Sequence, residues 1–107
     1  MKGTNLGEFE ELILLIIGVL HQNAYGAAIM EELHHQTGRN PSVGAVHSSL
    51  NRLMEKGFIR SKYGESTEKR RGRRKVYYSL TAAGESALIK TREMRNGLFS
   101  LIPSLSK

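Results

Sequence analysis

Residues 41–80 read PSVGAVHSSLNRLMEKGFIRSKYGESTEKRRGRRKVYYSL, and the fold is decided inside them. Ser42 is a good helix N-cap, and Gly57 is a good stop. Between them, Val46, Leu50, Leu53 and Met54 fall at i, i+4, i+7 and i+8, the buried stripe of a helix over residues 43–56. At about 100° per residue, the opposite face carries Gly44, Ser48, Asn51, Arg52 and Glu55, with Ala45 and His47 on its flanks. That outer face is small and polar over its first two turns. The period then changes. Residues 58–63 and 75–80 are rich in aromatic and β-branched side chains, as strands are. Val76, Tyr78 and Leu80 share one side of the second, which makes Tyr78 a core candidate. The connection between the strands, residues 64–74, is long for a hairpin and is expected to be mobile and exposed.

The bases concentrate in this connection. The chain has 107 residues, 16 Lys and Arg against 10 acidic residues, and a net charge of +6. Residues 69–75, KRRGRRK, hold six of the bases, and removing them leaves 16 − 6 = 10 bases against 10 acids. The protein is a neutral domain with one basic block. A nuclear-targeting signal is the weaker explanation of that block.

Outward from this centre, the helical pattern continues on both sides. Asn5 followed by Glu8 resembles a capping box for a first helix running from about Leu6 to His21. This helix is apolar almost all round, which fits either burial within the monomer or burial against a second subunit. A second helix is expected over residues 24–36, with Tyr25, Ala28, Ile29 and Leu33 inward and Gly38 as its stop. Thr81 caps a last helix over residues 82–101. Ala87, Thr91, Met94, Leu98 and Leu101 follow a 4-3-4-3 spacing along it, a seam suited to another helix. Gly97 weakens this helix by roughly 1 kcal/mol relative to Ala.

Composition excludes several functions. There is no cysteine, hence no disulfide and no thiolate metal site or nucleophile. All the acidic residues are Glu, and no phosphate-binding glycine motif or nucleophile–histidine arrangement occurs, so an enzyme is the least supported class. His34 and His35 are adjacent, about 100° apart on a helix, and do not face one ion. The longest apolar run, residues 12–20, is half a bilayer span, and acidic residues precede it where a signal peptide carries bases. No cofactor and no membrane are expected, and the compartment is the cytoplasm.

The order helix, helix, helix, strand, basic loop, strand, helix is that of a mainly α winged helix-turn-helix with a small β-hairpin. Residues 1–80 form the expected DNA-binding part. Residues 81–107 form a dimerisation helix and a frayed tail within one unit. A helix that enters the major groove needs small, polar side chains near its N-terminus, so that backbone and base edges approach closely. Helix 43–56 has that profile. The basic loop can then deliver guanidinium groups to the backbone or minor groove alongside.

Four blocks carry a resemblance to one family: LGEFEELILLIIGVL (6–20), AYGAAIMEEL (24–33), PSVGAVHSSLNRLMEKGFI (41–59) and RRGRRKVYYSLTAAGESAL (70–88). Their order and wording resemble the PadR family of bacterial transcriptional regulators, in the short type with a single C-terminal helix. The resemblance implies a homodimeric winged-helix protein, usually a repressor, bound to a pseudo-palindromic duplex operator. It places Ser42, Gly44, Ala45 and His47 at the DNA and Arg52 near a phosphate, and the outer face of the helix adds Ser48. In the wing, Gly72, Arg73, Arg74 and Lys75 match the family's Gly-Arg-basic signature, which assigns the three bases to the nucleic acid, and Arg71 joins them as part of the basic run. The C-terminal helix is expected to pack on the partner's first helix, through Leu12, Ile16, Ala87, Met94, Leu98 and Leu101. His47 stands where the family more often has Tyr, and Ala45 where Thr is frequent, so the resemblance does not give the operator preference. The chain has no Trp, and no tryptophan-stacked ligand site is expected. Neither the operator nor any small-molecule effector is legible. An RNA-binding or ribosome-associated basic domain is the alternative, but it calls for exposed aromatics or basic character on several faces.

Overall fold

Three glutamates open the first helix, and each ends on a different part of the molecule. In the computed structural model, which describes residues 6–64 and 75–104, α1 spans Glu8–Leu20 with Gly7 as its N-cap. The carboxylate of Glu10, one turn in, accepts the Gly7 N–H at 3.0 Å. The residue that reaches back is thus Glu10 and not Glu8, and Asn5 lies outside the described residues. Glu8 instead pairs with Arg39 at 2.7 Å, in the connection between the second and third helices. Glu11 pairs with Arg95 on the last helix at 2.8 Å. Acidic groups in a first turn also complement the helix dipole.

A single 3-10 turn, His21–Asn23, leads to α2, Gly26–Thr37. The second helix therefore starts two residues later than its apolar pattern suggests. Gly38 closes it with φ +76°, donating its N–H to the His34 carbonyl at 2.8 Å. An L side chain is disfavoured in that left-handed region, which is why glycine serves here. The ring of His34 faces the Arg39 carbonyl, with Nδ1 3.2 Å away. α3 follows as Val43–Glu55, with Lys56 at its C-cap and Gly57 beyond at φ +80°.

Ile13, Leu14 and Ile17 of α1, Ile29 and Leu33 of α2, and Val46, Leu50 and Leu53 of α3 are at most 1 % exposed and form one core. Full burial of an aliphatic side chain contributes about 1.5–3 kcal/mol, so this three-helix cluster dominates the stability. Two details depart from the helical pattern of α3. Met54 is 38 % exposed, whereas Ser49 is fully buried. The stripe runs through positions 46, 50 and 53, and Ser49, one turn from both Val46 and Leu53, is buried beside it.

The hairpin consists of β1, Ile59–Tyr63, and β2, Val76–Leu80, antiparallel with Ile59 opposite Leu80 and Tyr63 opposite Val76. It is stitched to the α1–α2 connection: Tyr78 N–H donates to the Ala24 carbonyl at 2.8 Å, and Tyr25 forms a bridge with Tyr77. Tyr78 and Leu80 pack against the core, as the alternation predicts.

α4 spans Ala82–Ser100. Thr81 Oγ1 accepts the Gly84 N–H at 3.0 Å and donates to the Gly57 carbonyl at 2.7 Å, locking the helix start against the end of α3. Ala87 and Thr91 are buried in the chain itself, but every described residue from Arg92 onward is exposed. The expected seam therefore divides, with two positions inside the body and Met94, Leu98 and Leu101 at 54 %, 59 % and 75 % exposure. Ile16 of α1 is likewise buried in the chain, while Leu15 and Val19 are 43 % and 62 % exposed. The surplus apolar surface of α1 thus serves the chain's own core on one side and is left uncovered on the other.

Candidate nucleic-acid interface

The N-terminal half of α3 is held from behind and open in front. Val46 and Leu50 anchor it in the core, and Ser42 Oγ accepts the Ala45 N–H at 3.0 Å, fixing its first turn. Gly44, Ala45, His47, Ser48 and Asn51 are all exposed. A Cβ on Gly44 would have no neighbour nearer than Ser42 Oγ at 4.0 Å, so this turn presents almost bare backbone. Exposed small residues, N–H groups at a helix N-terminus and an imidazole make a surface that a groove floor or a phosphate can approach.

Arg52 is placed differently from its neighbours. Its Nε donates to Glu10 at 2.7 Å and its Nη2 to Ser49 Oγ at 3.3 Å. Lys56 Nζ donates to the other oxygen of Glu10 at 2.7 Å. Burial alone raises the pKa of Glu10, but Lys56, the Gly7 N–H and Arg52 outweigh it and hold the carboxyl at about 2. Arg52 therefore clamps α3 to α1 and pairs with neither Glu55 nor Ser48. Half of its side chain still faces outward. Sequence periodicity missed Glu10 because an acidic residue in a first turn is explained by the helix dipole alone.

On the hairpin, Lys75 Nζ lies 3.7 Å from the centre of the Tyr25 ring, and that ring meets Tyr77 edge-on at 5.5 Å. Gly64 N–H donates to the Lys75 carbonyl at 2.7 Å and continues the ladder toward the wing. Arg71, Arg73 and Arg74, with Gly72 and the rest of the loop expected to be mobile, lie outside the described residues. Two further bases on β1, Arg60 and Lys62, are exposed. They escaped the sequence reading because two alternating bases are inconspicuous beside a block of six. Strand alternation from the buried Ile59 was the signal that marks them as outward.

The defining pattern of the transcriptional regulator PadR-like family matches residues 13–90, most of the chain. The chain belongs to the PadR-like family. Members of this family are DNA-binding transcriptional regulators and not enzymes. The fold agrees. A PadR-like transcription factor from Bacteroides fragilis is 26% identical, with 90% of this chain and 87% of that one covered and a TM-score of 0.74. The complex structure of hsRosR-SG is 27% identical, covering 91% of this chain and 79% of that one, with a TM-score of 0.69. A PadR-like regulator from Bacillus cereus, 22% identical over 91% of this chain and 89% of its own, has a TM-score of 0.72 and attests the winged-helix fold. No curated protein sequence matches the chain. Among the described residues of this PadR-like chain, no helix is long and apolar enough to cross a membrane, and no group of His and Glu side chains is arranged to hold a metal.

Proposed function

We propose that a homodimer of this chain represses transcription in the cytoplasm by binding a pseudo-palindromic duplex operator. The observation that carries this reading is the open front of α3 beside a hairpin whose bases have no acidic partner among the described residues. Arg39, Arg52, Lys56 and Arg95 are each ion-paired to a glutamate of α1. Arg60, Lys62 and Lys75 are not. Four bases thus hold α1 to the rest of the chain, whereas Arg60 and Lys62 of β1 are exposed and in no ion pair among the described residues.

In this reading, Ser42, Gly44, Ala45, His47 and Ser48 face base edges and adjacent phosphates in the major groove. Arg71, Arg73, Arg74 and Lys75 reach the backbone or minor groove. Arg52 contributes its outward half near a phosphate while Glu10 fixes its position. The subunits join through α1 and α4. Between these helices lies a cleft of about 430 Å3, lined by Leu15, Leu88, Ile89 and Phe99 with Arg92 and Arg95 at its edges. A partner's α4 supplies Met94, Leu98 and Leu101, and Leu12 contributes its outer edge. Ile16 and Ala87 support this surface from below.

Titration of a labelled duplex at several salt concentrations tests the reading. The protein is expected to prefer duplex DNA to RNA of equal length. Replacing Arg73, Arg74 and Lys75 by Gln is expected to lower the salt slope by two to three, at about 0.9 per phosphate contact. An unchanged slope, or equal affinity for RNA, contradicts it.

A further inference from the structure

The outer face of the hairpin carries a second basic surface, apart from the front of α3. In the β1–β2 register, Arg60 stands opposite Ser79 and Lys62 opposite Tyr77. Opposed residues of an antiparallel pair share a face, so these four project away from the side that carries Ile59, Tyr78 and Leu80. The 3-10 turn His21–Asn23 borders the same face, and together they line an open groove of about 760 Å3. Ligand sites fall in the range of roughly 300–1,000 Å3.

The lining is matched to an anion. Among the described residues it contains no acidic one. Arg60 and Lys62 lie two apart on one strand face, and like charges so placed repel without a counter-charge. No ion pair among the described residues includes either of them. Gln22, Asn23 and Ser79 add neutral donors, and Tyr77, steadied by Tyr25, forms an aromatic wall. His21 at the rim has φ +57° and ψ −114°, the one positive φ among the described non-glycine residues. Such backbone strain gathers at ligand sites and switch regions. Gly64 also lines the groove, and a Cβ there would meet the Tyr77 ring at 2.5 Å. Gly64 pairs with Lys75 across the neck of the wing, so an occupant of the groove touches the base of the wing.

We propose that this groove is a phosphate-binding site, with the phosphate held by Arg60 and Lys62 and any attached ring lying against Tyr77. Two sources share that chemistry: a free phosphorylated small molecule, or a backbone phosphate of the duplex. Only the second rests on the proposed DNA binding.

The test uses the whole isotope-labelled protein, titrated with adenosine monophosphate and with inorganic phosphate at constant ionic strength. Saturable shifts are expected in the amide resonances of Gln22, Asn23, Tyr77 and Ser79, with Ala45 and Ser48 unmoved. The Arg60→Gln/Lys62→Gln variant is expected to lose these shifts at an unchanged melting temperature, since both side chains are exposed. If it melts early, the two single variants replace it. In parallel, the salt slope of duplex binding is compared between wild type and variant. Shifts with an unchanged slope assign the groove to a free ligand. A slope lower by about two, with or without shifts, assigns it to the DNA backbone. Neither shifts nor a slope change overturns the proposal. A wild type that binds no duplex refutes the reading of α3 and leaves the nucleotide titration to decide the groove.

Discussion

The carboxylate of Glu10 on α1 accepts a 2.7 Å hydrogen bond from Arg52 Nε on α3, forty-two residues away in the chain. Glu10 is 5 % exposed, and Lys56 and Gly7 complete its partners. The helix proposed to read DNA is thus held at its C-terminal half by a charge on another helix, while its N-terminal half stays open.

This clamp gives the fold an acid sensitivity. The pKa of Glu10 is lowered from 4.5 to about 2, so its stabilisation is fully present above pH 4.5 and is lost as the pH falls toward 2. With Arg52 half-exposed and screened, the effect is on the order of 2 kcal/mol. Denaturant unfolding of wild type between pH 6 and 2 is expected to show that loss, and Glu10→Gln is expected to flatten it. Equal pH dependence in both proteins refutes the clamp.

Ser42 has two roles that substitution can separate. Ser42→Ala removes the bond to the Ala45 N–H and is expected to cost about 1 kcal/mol. Ser42→Asp restores the cap but puts a negative charge where a phosphate is proposed to lie. It is expected to melt like wild type and bind duplex at least tenfold more weakly. Full affinity in the Asp variant places Ser42 away from the backbone.

Gly84 sits in the first turn of α4, where Ala ordinarily stabilises a helix by about 1 kcal/mol over Gly. A Cβ on Gly84 would collide with the Phe58 carbonyl oxygen. The sign is therefore expected to reverse, with Gly84→Ala destabilising by about 1–3 kcal/mol in thermal or denaturant unfolding as α4 is pushed off the hairpin. A more stable variant contradicts this packing of α4 against Phe58.

Leu98 and Leu101 contribute little to the monomer's core and, in the proposed dimer, much to the subunit contact. Leu98→Glu with Leu101→Glu is expected to leave the helical signal intact and to convert a dimer to a monomer in sedimentation velocity. Operator affinity should fall with it. A wild-type protein that already sediments as a monomer at micromolar concentration refutes the dimer.

Local physics was legible in the sequence because its signals sit within a few residues of their effects. Ser42 and Thr81 cap the helices they precede, Gly38 and Gly57 adopt the left-handed backbone that ends α2 and α3, and alternation sets Tyr78 inward. What escaped depends on distant partners. Glu10 is explained by its own helix until α3 is brought beside it. Periodicity put Met54 in the buried stripe, yet it is 38 % exposed, and the buried place beside Leu50 is taken by Ser49, whose hydroxyl meets Arg52 from another face of the helix. The 4-3-4-3 seam of α4 is one pattern in sequence but two surfaces in space, since the helix outruns the body after Thr91. At the site, the front of α3 was legible from its composition, whereas Arg60 and Lys62 needed the strand register.

The central claim, that the front of α3 selects base sequence, is tested most directly by sequencing genomic duplex fragments retained by the purified protein and by its His47→Ala variant. Wild type is expected to enrich one pseudo-palindromic motif with half-sites about one helical turn apart. The variant is expected to enrich the same spacing with altered preference at symmetric positions in both halves. No enrichment by wild type, or an identical motif from wild type and variant, contradicts it.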